Sequence, residues 1–117
     1  MKYYSLEIKN FKEENGEFVE SGTELVKLRL TGEACIELEE KSKMSLMQYI
    51  SQGSVTVMIN LLMYMRRFEV PNFCKKDATD LFNKLLDNGY GYKEILDDVI
   101  YEALVVSGFF KKEEEVK

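Results

Sequence analysis

The side chains able to do chemistry are few, and their spacing does not suit it. Histidine is absent, which removes the commonest general base, the Ser-His and Cys-His nucleophile pairs and the commonest zinc ligand together. Asp97 and Asp98 are adjacent and so do not share one helical face. Asp77 with Asp80 lacks the glycine and the glutamate of a calcium loop. The segment NGYGY at 88–92 has neither the third glycine nor the preceding strand of a dinucleotide loop, and reads as a helix-to-helix turn. Tyr90 and Tyr92 would stack bases only beside a basic groove, and read as packing at that turn. Cys35 and Cys74 are far apart, and neither belongs to a CxxC pair. They read as two buried thiols of a reducing compartment, a disulfide and a metal site being the other readings. No catalytic residue, metal or cofactor is expected.

The elements that would position any site must come from one domain, because 117 residues leave little room for two. With 45% hydrophobic residues, a core of ordinary size needs no disulfide framework. The 21 acidic and 16 basic residues give a net charge of -5, without a long basic run, which argues against nucleic acid as a partner. MKYYSLEIKN alternates polar and apolar residues and is not a signal peptide. The apolar run Val55 to Met65, interrupted by Thr56 and Asn60, is too short to span a bilayer. The expected class is a soluble cytoplasmic protein.

Tyr4, Leu6 and Ile8, and again Val26, Leu28 and Leu30, alternate with polar residues and predict two half-buried strands. Asn15-Gly16 suits a tight turn and Gly22 a second bend, so an antiparallel hairpin or a three-stranded meander is expected. Thr31 then caps a helix with Ala34, Cys35 and Leu38 on its apolar side, and Glu37 and Lys41 form an i, i+4 ion pair. Leu46, Met47 and Ile50 keep helical spacing as far as Gly53. From Val55 to Phe68 nearly every residue is apolar, and Thr56, Asn60, Met63 and Arg67 make one narrow stripe to face solvent. This is a core helix, or one of which Met63 and Tyr64 form an interface for another chain.

After Pro71 and Asn72, Asp77 starts a helix with Asp80 in a capping-box arrangement and Leu81, Phe82, Leu85 and Leu86 as its stripe, stopped by Asn88-Gly89. The last helix runs from about Lys93 to Val106, on the pairs Ile95/Leu96, Val99/Ile100 and Ala103/Leu104. Gly108 is expected to be its left-handed terminator, which sends Phe109 back against Leu104 and leaves Phe110 without an evident structural task. Lys111 and Lys112 suit the negative end of the helix dipole. The fold class expected is α+β, an N-terminal hairpin or meander packed on four or five helices: one domain over residues 1–110, then a charged flexible tail over 111–117.

In order and spacing, KLRLTGEACIELEEK, MSLMQYI, VMINLLMYMRRF and DATDLFNKLLDNGYGYKEILDDVIYEALVVSGFF resemble the tail assembly chaperones of long-tailed bacteriophages and of prophages in Gram-positive bacteria. The resemblance covers about Val26 to Phe110 and the first strand; the longer segment from Asn10 to Glu24 departs from it. It implies a protein of the host cytoplasm that binds the helical tape measure protein in several copies, keeps it soluble, promotes tail tube assembly and is absent from the mature virion. It also implies a frameshift-extended form that recruits the tail tube protein, for which a flexible segment after Phe110 would be an extension point.

Met63, Tyr64 and Phe110 are the candidate partner-binding residues, each apolar and with a reason to stay partly exposed. The methionines Met47, Met58, Met63 and Met65 would line an adaptable partner surface or fill gaps in the core. Self-association is left open, and no membrane partner is expected. A different class of function is a prophage regulatory module that binds another protein, or nucleic acid through Arg66, Arg67, Lys75 and Lys76. A small enzyme is the third reading, and no base, metal site or phosphate loop supports it.

Overall fold

The computed structural model describes residues 2–111. Strands β1 (Tyr4–Glu14) and β2 (Glu17–Leu28) pair antiparallel in a two-stranded sheet, so the expected α+β class holds, with a hairpin and not a meander. Asn15 and Gly16, with φ of 54° and 80°, make the two-residue turn whose hand matches the twist of the strands. Gly22 does not start a second bend. It sits at a β-bulge: Asn10 opposes Gly22 while Phe11 opposes Glu20, leaving Ser21 unpaired inside one long strand.

Only the base of this hairpin joins the core. Leu6, Ile8, Val26 and Leu28 are buried on one face, whereas every residue from Lys12 to Phe18 is exposed. Leu30, read as strand, lies beyond the end of β2 but is buried. Its amide donates to Ser107 Oγ at 3.0 Å, and the Arg29 amide donates to the Met65 carbonyl at 2.9 Å, tying the end of the hairpin to two helices.

The helices are α1 (Gly32–Ser42), α2 (Leu46–Ser51), α3 (Val55–Arg66), α4 (Lys75–Asp87) and α5 (Tyr92–Glu94). The chain then passes through a π-helical segment (Ile95–Ile100) into α6 (Tyr101–Ser107). Thr31, Ser45 and Ser54 cap the first three, each side-chain oxygen accepting an amide at 3.2 Å. The apolar α3 lies at the centre, touching α1, α2, α4, β2 and the π segment, with Met58, Leu61, Leu62 and Met65 fully buried.

The N-cap of α4 lies three residues before the expected one at Asp77. Cys74 occupies the N-cap, and Asp77, at the third helical position, accepts the Cys74 amide at 3.0 Å. Cys74 is therefore exposed at a helix end, not buried as expected, while Cys35 is buried; both thiols are free. The bond from the Cys74 amide, then that from its thiol, holds the Asp77 carboxyl below its ordinary value of 3.8. A carboxyl so lowered stabilises the fold above the unfolded pKa, and the contribution is lost as pH falls through the folded value. Asp77→Ala is thus expected to lower the urea midpoint at pH 7, with the gap to the wild type closing as the pH is taken below 3.8.

Asn88, beside the expected stop at Gly89, has a second role. Its Oδ1 accepts the Lys9 amide at 2.7 Å and its Nδ2 donates to the Lys9 carbonyl at 2.9 Å, so one side chain imitates a third strand on the β1 edge. Asn88→Ala is expected to cost about 1–2 kcal/mol in urea unfolding and to speed hydrogen exchange at the Lys9 amide. Leu86, placed on the buried stripe by its spacing, is 45% exposed.

The chain end follows the expected backbone but exchanges the two phenylalanines. Gly108, at φ 93°, donates to the Val105 carbonyl, and the Phe109 amide donates to that of Leu104, both at 3.0 Å, the paired bonds of a Schellman ending. The Phe109 side chain is nonetheless exposed. Phe110 packs against the core and stacks on Tyr101, ring centroids 5.6 Å apart. Lys111 is exposed; Lys112 and the rest of the charged tail lie outside the described residues.

Candidate functional site

Helix α3 has one side that the core does not cover, and it is the polar stripe. As expected, none of Thr56, Asn60 and Met63 is buried, Thr56 being exposed and the other two half-buried, and together they line an open cleft of about 520 Å³ flanked by α1 and α2. Helix α2 can face α3 because the Ser45 cap starts it and the Glu39 carboxylate accepts the Leu46 amide at 2.8 Å, fixing its angle to α1. Asn60 is satisfied across the cleft, its Nδ2 donating to the Tyr49 hydroxyl at 2.8 Å.

The apolar part of the lining is adaptable. Met44 and Met63 are half-buried, and Leu38, Val57 and Tyr64 complete the wall. Thioethers on unbranched chains repack readily around different partners. Lys41 is the charged residue of the lining, and Gln52 Nε2 donates to Met44 Sδ at 3.1 Å.

Tyr64 corrects an expectation, since it is buried rather than partly exposed and reaches the cleft only as wall. Burial first, and the neighbouring Glu37 carboxylate second, push its hydroxyl above its ordinary pKa. Arg67 closes this end: its guanidinium lies 5.3 Å from the Tyr64 ring centroid, pairs with Glu37 at 3.2 Å and donates to the Phe73 carbonyl at 2.9 Å. The Glu37–Lys41 pair expected from helical spacing yields to this one, because Arg67 offers a planar donor from a facing helix. Met63 is half-buried on the cleft wall, whereas Phe110 lies elsewhere, past the end of α6 and stacked on its Tyr101. The structure therefore joins Met63 with Tyr64 and separates both from Phe110.

The basic cluster does not assemble as a nucleic-acid surface would require. Arg66 pairs with Glu69 at 3.1 Å and lines a groove with Asp77 and Asp80, Arg67 is committed to Glu37, and Lys76 lies 3.6 Å from Asp80. Among the described residues, no group of three His, Cys, Asp or Glu side chains could hold a metal ion, and no helix is long and apolar enough to cross a membrane. Tyr92 is half exposed, its hydroxyl donating to the Gly53 carbonyl, and Tyr90 packs against the core.

Sequence reasoning missed Met44 and Tyr49. Met44 stands between two helices, outside any periodic run, and carried no signal. Asn60, a lone amide amid apolar neighbours, was the one clue that a polar partner waited across a gap. No protein-family model, curated protein or solved structure matches this chain.

Proposed function

We propose that this protein is a non-catalytic tail assembly chaperone that binds a phage tape measure protein and keeps it soluble while the tail tube assembles. The reading rests on the resemblance of residues 26–110 to that family. The observation that supports it best is the cleft between α1, α2 and α3, where Met44 and Met63 border an opening large enough for a partner's apolar side chains. Reversible holding of a long amphipathic helix asks for an adaptable apolar groove within a charged exterior, and the net charge of -5 supplies the second ingredient. On this reading the protein acts in the host cytoplasm, is absent from the finished virion, and meets the tail tube protein through a longer frameshifted form.

On this reading a neighbouring gene encodes a very long helical protein, and the test is co-expression with that neighbour. A neighbour that becomes soluble and co-purifies with several copies of this chain supports the proposal. A neighbour that stays insoluble beside the folded chain ends it. The regulatory alternative survives chiefly as protein binding, since Arg66 and Arg67 are already held by carboxylates. Salt-sensitive retention on DNA would restore its nucleic-acid form.

A further inference from the structure

The pair Asn-Gly occurs twice in the chain, at Asn15-Gly16 and at Asn88-Gly89. In such a pair the asparagine side chain is open to attack by the backbone nitrogen that follows it, because glycine carries no side chain to stand in the way. The fold treats the two pairs differently.

Asn15 and Gly16 form the hairpin turn and are both exposed, in a tip that stands outside the core from Lys12 to Phe18. Even a Cβ added at Gly16 would meet nothing within 4 Å, so there is open space around the reacting atoms. Asn88 is half-buried and held at both ends of its amide: Oδ1 accepts the Lys9 amide, and Nδ2 donates to the Lys9 carbonyl at 2.9 Å and to the Lys84 carbonyl at 2.7 Å. The Gly89 amide is engaged as well, donating to the Leu86 carbonyl at 3.0 Å, whereas among the described residues the Gly16 amide donates to no backbone carbonyl.

We infer that Asn15 is a site of spontaneous deamidation, and that the bracket Asn88 makes on the β1 edge keeps Asn88 from the same reaction. The Gly16 nitrogen loses its proton and attacks Asn15 Cγ. A bond forms between that nitrogen and Cγ, the bond from Cγ to Nδ2 breaks, and the side-chain nitrogen leaves with the proton as ammonia. Water then opens the resulting succinimide at one carbonyl or the other, giving isoaspartate or aspartate. Either product adds a carboxylate to a tip that already carries Glu13, Glu14 and Glu17 against Lys12. Isoaspartate also lengthens the backbone of a two-residue turn on which the pairing of Glu14 with Glu17 depends. At Asn88 the same exchange would remove the donor that reaches the Lys9 and Lys84 carbonyls.

The test is incubation of the full chain in neutral buffer, folded and in parallel unfolded in concentrated urea. Proteolytic peptides are read by mass for the exchange of amide for acid, and isoaspartate by methyl transfer from an isoaspartyl methyltransferase. In the folded chain Asn15 should convert about tenfold or more faster than Asn88, whose hydrogen bonds must open first. In urea the two rates should converge, since the dipeptide is the same. Asn15→Gly, which suits the turn, should remove the isoaspartate signal of the folded chain. Equal rates at the two sites in the folded chain, an unchanged Asn15 while the unfolded chain converts, the same difference persisting in urea, or a signal that survives Asn15→Gly would each overturn the assignment.

Discussion

Leu61→Ala is expected to lower the stability of the folded chain by about 3 kcal/mol, and the thermal midpoint by roughly 10–20 °C. Leu61 is fully buried in α3, the helix that touches both the hairpin and most of the other helices. Truncation there leaves a cavity in a close-packed interior, which relaxes only in part to fill it. Against a total of about 5–15 kcal/mol for a domain of this kind, such a loss is a large fraction. Urea and thermal unfolding measure it directly. Phe18→Ser is the matched control: Phe18 is 77% exposed on the hairpin tip, so its loss should stay within about 0.5 kcal/mol. If Phe18→Ser costs as much as Leu61→Ala, the distribution of the core described above is wrong.

Met63→Glu is expected to abolish partner binding in the co-expression assay while the chain still folds. Met63 lines the cleft and is half-buried, its sulfur 3.5 Å from Arg67 Nη2, so a carboxylate there can pair with the guanidinium and the chain can still fold. The same carboxylate would confront any apolar side chain entering from a partner, and carrying a charged group into a closing apolar interface is costly. The recovered complex should fall about tenfold or more, whereas Met63→Leu, similar in volume and apolar, should retain it. A Met63→Glu chain that solubilises the neighbour as well as the wild type would move the binding surface elsewhere without touching the chaperone reading. That reading fails only if the wild type itself does not solubilise the neighbour.

The two expectations concern different links of the same chain of causes. Leu61 tests whether α3 is the element around which the domain is built. Met63, two residues on, tests what the side of α3 that the core leaves uncovered is for. Neighbouring residues on one helix thus divide between stability and recognition because about 100° separates successive side chains.

The sequence by itself determined the α+β class, the tight turn at Asn15-Gly16, the Thr31 cap, the burial of most of α3 and the Schellman ending at Gly108. Each of these depends on signals a few residues apart: alternation, helical spacing, a capping oxygen, a left-handed glycine. The tertiary structure decided everything that required a residue from a distant part of the chain. Asn88 closes the β1 edge only because α4 ends beside Lys9, 79 positions away. The π segment is invisible in the pairs Ile95/Leu96 and Val99/Ile100, since a single wider turn changes the hydrogen-bond register without changing which residues are apolar. Glu37 abandons its helical neighbour Lys41 for Arg67, and the stripe of Thr56, Asn60 and Met63 lines a cleft because α1 and α2 happen to stand over it. Local patterns fix which face of an element is apolar; which element arrives to cover it, and where a gap remains for a partner, depends on packing that no short stretch of sequence encodes.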